Sequence, residues 1–81
     1  MQMRGFIAHV MKHTQIKYSA CVVNNDKKTV ENACRELSVK MIDLYVSMFH
    51  VELITQREYE YLLEFNDYQL SMSIALKGSE V

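Results

Sequence analysis

The segment from about residue 56 to 76 constrains this chain most. Read at helical spacing, it carries two apolar faces with an acidic stripe between them. One face holds Tyr59, Leu62, Leu63, Leu70 and Ile74. The other holds Tyr61, Phe65, Tyr68, Met72, Ala75 and Leu76, and the stripe is Glu60, Glu64, Asp67 and Ser71. A surface helix with one apolar face closes on one neighbour. Two such faces require burial on both sides or a protein partner.

The start of this helix is written locally. Thr55-Gln56-Arg57-Glu58 has the form of a capping box, in which hydroxyl and carboxylate each satisfy the other residue's N–H. The helix is expected to end near Leu76 or Lys77, with Gly78 as the stop. A second punctuation mark, Asn24-Asn25-Asp26, predicts a turn and a helix N-terminus. A long helix then runs over about 27–50. Its main stripe is Val30, Ala33, Cys34, Leu37, Met41, Leu44, Tyr45 and Met48. From residue 39 onward a second stripe of Val39, Ile42, Val46 and Phe49 appears.

Upstream, Met3, Phe6, Ile7, Val10 and Met11 stand at helical spacing over residues 2–13. Gly5 weakens that helix by about 1 kcal/mol relative to alanine. Residues 15–23 read either way, since Ile16, Tyr18, Ala20 and Val22 alternate as in a strand but also suit a continued helix. With no second strand candidate, helix or irregular structure is favoured. Proline is absent and there are only two glycines, which suits long helices better than a turn-rich β fold.

The expected architecture is therefore all-α: a long antiparallel helical hairpin, about 27–50 and 56–76, with a shorter N-terminal helical segment. The whole of 1–81 reads as one small helical domain. At this length a single core is barely sufficient, so oligomerisation or partner binding is the expected reinforcement. The short link at 51–55 makes the long helices neighbours and leaves surplus apolar surface near the linker end. Val39, Ile42, Val46 and Phe49 are the candidate homodimer interface. Burying apolar side chains of this kind stabilises by about 1.5–3 kcal/mol each. Association costs about 4–15 kcal/mol, so a dimer is within reach.

No catalytic site emerges. There is no Gly-rich phosphate loop, no HExxH and no GxSxG. His9 and His13 share a helical face but lack further ligands, so neither metal nor cofactor is expected. Cys21 and Cys34 are too few for a disulfide scaffold and are spaced unlike a zinc or redox motif. Cys34 falls on an apolar stripe and reads as a reduced core thiol. No apolar run approaches a membrane span of about 20 residues, and no secretory signal is apparent. The chain reads as cytoplasmic.

Charge is unevenly spread. Residues 1–28 carry five basic groups against one acid, whereas 29–81 carry four against nine. Arg4, Lys12, Lys17, Lys27 and Lys28 are candidate nucleic-acid contacts. A helix–turn–helix built on 37–50 and 56–70 would instead present Glu58, Glu60, Glu64 and Asp67 to phosphates, which repel them. The acidic strip fits another role. Carboxylates flanked by aromatics dock on basic protein surfaces, the carboxylates steering and the aromatics anchoring.

Glu60, Tyr61, Glu64, Phe65, Asp67, Tyr68 and Met72 form the candidate partner-binding face. The expected function is a small non-catalytic protein-binding module acting on a nucleic-acid-handling protein. Size and lack of motifs suggest an adaptor or inhibitor of the kind encoded by phages and plasmids. The alternative is a small dimeric DNA-binding regulator that uses its basic N-terminal part.

Overall fold

The computed structural model describes residues 4–78. They form three α-helices: α1, Gly5–Asn24; α2, Val30–His50; and α3, Gln56–Gly78. No strand occurs among the described residues. The N-terminal helix runs well beyond the expected 2–13. At 20 residues it nearly matches α2 with 21 and α3 with 23. The ambiguous run 15–23 is helical throughout. Met3, assigned to the N-terminal stripe, lies outside the described residues.

The reason lies in the line that α1 buries. Ile7, Val10, Thr14 and Tyr18 are buried at intervals of three and four. Two of the four carry hydroxyls, so a search for apolar periodicity finds Ile7 and Val10 and misses how far the stripe continues. Those hydroxyls are paired. Thr14 Oγ1 donates to the Val10 carbonyl at 3.0 Å and hydrogen-bonds the Tyr45 hydroxyl. The threonine proton is spent on the carbonyl, so Tyr45 is the donor in the second bond.

Inter-helix pairs follow a consistent order. Thr14–Tyr45 and Cys21–Cys34 join α1 to α2 in reverse sequence order. Ser38–Asn66 and Phe49–Tyr59 do the same for α2 and α3. Arg4–Glu58 and Tyr18–Asn66 join α1 to α3 in the same order. All three helices contribute to one buried cluster of Ile7, Val10, Tyr18, Val30, Cys34, Met41, Tyr45, Met48 and Leu62, closed at the link by Ile54.

The helix ends follow local chemistry. The Asp26 carboxylate accepts from Lys28 N–H at 3.0 Å, Thr29 N–H at 2.9 Å and the Thr29 hydroxyl at 2.9 Å. These bonds favour the charged carboxylate and hold it below its usual pKa, the Thr29 hydroxyl contributing most. The capped turn 27–29 then leads into α2 at Val30.

At the other end of α2, Leu53 N–H reaches the Met48 carbonyl at 2.9 Å and Glu52 N–H reaches that of Phe49 at 3.1 Å. This pair of bonds is a Schellman motif. Its left-handed position is held by Glu52 at φ 63°, where glycine is usual. The capping box forms as read: Glu58 N–H donates to Thr55 Oγ1 at 3.1 Å, and Thr55 N–H to Glu58 Oε1 at 2.9 Å.

Candidate protein-docking surface

On α3 the fully buried line is Leu62, Asn66 and Ser73, with Glu58 at its start. That line runs between the two apolar faces, on the side opposite the acidic strip. The two faces are thus flanks of a single buried face. One flank meets α2, where Tyr59 stacks on Phe49 with ring centroids 5.0 Å apart and planes at 11°. The other flank meets α1, where Phe65 borders Ala8, Met11 and Lys12. The longer α1 supplies the second neighbour that α3 demands.

A buried polar relay pins the helices together. The Tyr18 hydroxyl donates to Asn66 Oδ1 at 2.7 Å, and Asn66 Nδ2 donates to Ser38 Oγ at 2.9 Å. The three residues come from three helices. Burial pushes the Tyr18 hydroxyl up to about 12 and raises that of Tyr45. Both remain neutral donors at any ordinary pH. Among the described residues no buried side-chain nitrogen or oxygen lacks a partner.

The α1 cover is incomplete towards the C-terminal end of α3. Tyr68 is 59% exposed, Met72 49% and Leu76 61%. Val22 and Val23 of α1 face Met72 and Leu76 across an open groove of about 310 Å³. Glu60, Glu64 and Asp67 are all exposed, directly outward from the buried line. Of the proposed docking residues, Tyr61 and Phe65 are half-buried, Phe65 beside α1, whereas Tyr68 and Met72 stand free of the core.

The surplus apolar surface was expected at the linker end. Phe6, Val51 and Leu53 are exposed there, but the groove lies at the opposite end, beside the α1–α2 turn. The cause is again α1, whose N-terminal half covers α3 near the link and whose last turn leaves a gap.

The second stripe of α2 divides. Val39 is 59% exposed, Ile42 and Val46 are half-buried, and Phe49 is engaged within the chain by Tyr59.

The candidate nucleic-acid contacts do not gather on one surface. Arg4 donates from Nε and from a terminal nitrogen to the two Glu58 carboxylate oxygens, each at 2.7 Å. It also reaches the Leu53 carbonyl at 3.0 Å, which ties its guanidinium to the α2–α3 link. The Arg4 hydrogen bonds, helped by Thr55 N–H, hold the Glu58 carboxyl down at about 2. Lys12 and Lys17 are exposed on α1 but lie about 140° apart around it. Lys27 and Lys28 sit in the turn after α1.

Among the described residues no three histidine, cysteine or acidic side chains converge as a metal site. His9 and His13 are both exposed. No described helix is long and apolar enough to cross a membrane. Besides the buried hydrogen bonds, the sequence does not announce Arg4 with Glu58 or Cys21 with Cys34, whose sulfurs lie 3.1 Å apart. The second was in principle detectable, because the two cysteines are nearly equidistant in sequence from the turn at 26–29. Comparison with protein families, with curated proteins and with solved structures finds no match.

Proposed function

We propose that this chain is a small non-catalytic protein-binding module, an adaptor or inhibitor that docks on a nucleic-acid-handling protein. The α2–α3 hairpin is its scaffold, and the α1/α3 groove with the outer flank of α3 is its docking face. One observation carries the reading: Tyr68, Met72 and Leu76 are exposed along one flank of α3, and Tyr68 borders the exposed strip Glu60, Glu64 and Asp67. Large apolar side chains on a rim of one charge give an anchor and a steering field in the same place. A basic surface built to hold phosphates is the complement of that strip. The origin in a phage or plasmid and a cytoplasmic location are part of the same proposal.

Capture from the native host tests it, with the wild-type chain beside a Glu60→Lys, Glu64→Lys, Asp67→Lys variant and a Tyr68→Ala, Met72→Ala variant. The reading expects a basic nucleic-acid-handling protein that both variants lose. The same proteins captured equally by all three would overturn it.

Self-association is the companion proposal. A second copy would sit on the flank of α2 bearing Val39, Ile42 and Val46. Light scattering expects a dimer at tens of micromolar, and a clean monomer would overturn this.

The DNA-binding reading is supported only by the basic excess of the N-terminal part. Arg4 is committed to Glu58, and the lysines of α1 diverge. Duplex binding that weakens steeply with salt in a gel-shift titration would restore it.

A further inference from the structure

Cys21 and Cys34 stand apart from both the docking face and the buried relay. Their sulfurs are 3.1 Å apart, bridging the last turn of α1 and the first turns of α2. Both are free thiols. A disulfide needs a sulfur separation of about 2.05 Å, so side-chain rotation has about 1 Å to close.

The two thiols are not equivalent. Cys34 is fully buried, and Cys21 is half-buried. Burial, reinforced by the neighbouring thiol, pushes Cys34 up to about 12. Cys21 has a polar neighbour: Asn25 Nδ2 donates to the Cys21 carbonyl at 2.8 Å and lies 3.8 Å from its sulfur. The accessible thiol is therefore the first to meet an oxidant, and the buried one is poised behind it. That is the arrangement of an attacking and a resolving cysteine.

We propose that Cys21 and Cys34 are a modification site, which a peroxide-class oxidant converts into an intramolecular disulfide that locks α1 to α2. In the first step the Cys21 sulfur attacks a peroxide oxygen and the O–O bond breaks. Cys21 becomes a sulfenic acid, and hydrogen peroxide leaves one water. In the second step the Cys34 sulfur attacks the Cys21 sulfur and the S–O bond breaks. The departing hydroxide takes the Cys34 proton and leaves as the second water. Two thiols are oxidised by two electrons in total, and one peroxide is reduced to two waters. The new bond would tie the last turn of α1 to the first turns of α2 and hold that end of α1 in place.

The full-length chain, reduced and then freed of reductant, is treated with a small excess of hydrogen peroxide. Intact mass under denaturing, non-reducing conditions should show a monomer lighter by two hydrogens. Thiol titration should find no free cysteine, and dithiothreitol should restore both. Closing this loop should raise Tm by about 10 °C or more. In Cys21→Ser, Cys34 should stay unmodified at the same peroxide dose. A wild-type product heavier by added oxygen, or a covalent dimer through Cys21, would overturn the proposal. So would oxidation of Cys34 in Cys21→Ser as fast as disulfide formation in the wild type. None of these readouts depends on a protein partner.

Discussion

Tyr18 on α1 and Asn66 on α3 are joined by a 2.7 Å hydrogen bond, and both side chains are fully buried. Asn66 passes the connection to Ser38 on α2, so one amide fixes the relative height of three helices. Hydrophobic attraction is non-directional, whereas this relay of directional bonds is satisfied at one register only. Such buried networks add specificity when every member is paired.

Breaking the relay at its centre should therefore cost more than dissolving it. Asn66→Leu leaves the Tyr18 hydroxyl and Ser38 buried without their partner, and is expected to destabilise by about 2–3 kcal/mol. Adding Tyr18→Phe and Ser38→Ala removes the orphaned groups, and the triple variant should recover most of that loss. Urea denaturation of the two variants checks this. A triple variant no more stable than Asn66→Leu would show that shape, not hydrogen bonding, governs the site.

Arg4 and Glu58 make acid stability legible. Folding lowers the Glu58 carboxyl from its ordinary 4.5 to about 2. A carboxyl depressed by folding stabilises fully above its unfolded pKa, and that contribution is lost as pH falls through the folded value. Between about pH 4.5 and 2 the wild type should lose stability more steeply than Glu58→Gln. Glutamine keeps the capping box but cannot carry the charge. Tm measured across that window for both chains is the test, and parallel curves would remove Arg4–Glu58 as a source of acid sensitivity.

Glu52 occupies a conformation that suits glycine. At φ 63° its side chain bears a steric cost that glycine avoids. Glycine also gains freedom in the unfolded chain, so the net benefit of Glu52→Gly is expected at about 0.5–1 kcal/mol. That corresponds to a rise in Tm of several degrees for a domain of this size. A fall in Tm would mean that the Glu52 side chain contributes something the backbone does not reveal.

Thr55 should behave as a helix cap. Thr55→Ala removes the acceptor for Glu58 N–H and is expected to cost about 1 kcal/mol, while Thr55→Ser should stay near wild type. Thermal melts of the two variants separate loss of the cap from loss of the methyl group.

Local signals were legible and long-range ones were not. Thr55 and Glu58 lie within one helical turn, so their reciprocal bonds need no knowledge of the fold. The Asn25–Asp26 turn is local for the same reason. Much of the main stripe of α2 was also readable, because Val30, Cys34, Met41, Tyr45 and Met48 keep helical spacing and are buried, although Leu44 of the same stripe is exposed. The exposed placement of Glu60, Glu64 and Asp67 follows from the pattern of α3 itself. The inner lines of α1 and α3 were hidden, since Thr14, Asn66 and Ser73 are polar and count against burial until their partners are known.

The sequence by itself determined that this chain is helical, where its turns fall, and that α3 must be covered on two flanks. Those properties depend on residues within a few positions of one another. Only the tertiary structure decided that α1 is long enough to cover the second flank, and that it leaves a groove at the end away from the link. It also decided that Arg4 faces Glu58 and that Cys21 faces Cys34. Each of these depends on residues far apart in sequence, and such pairs meet only once three helices settle at one register, which here is set by buried polar groups.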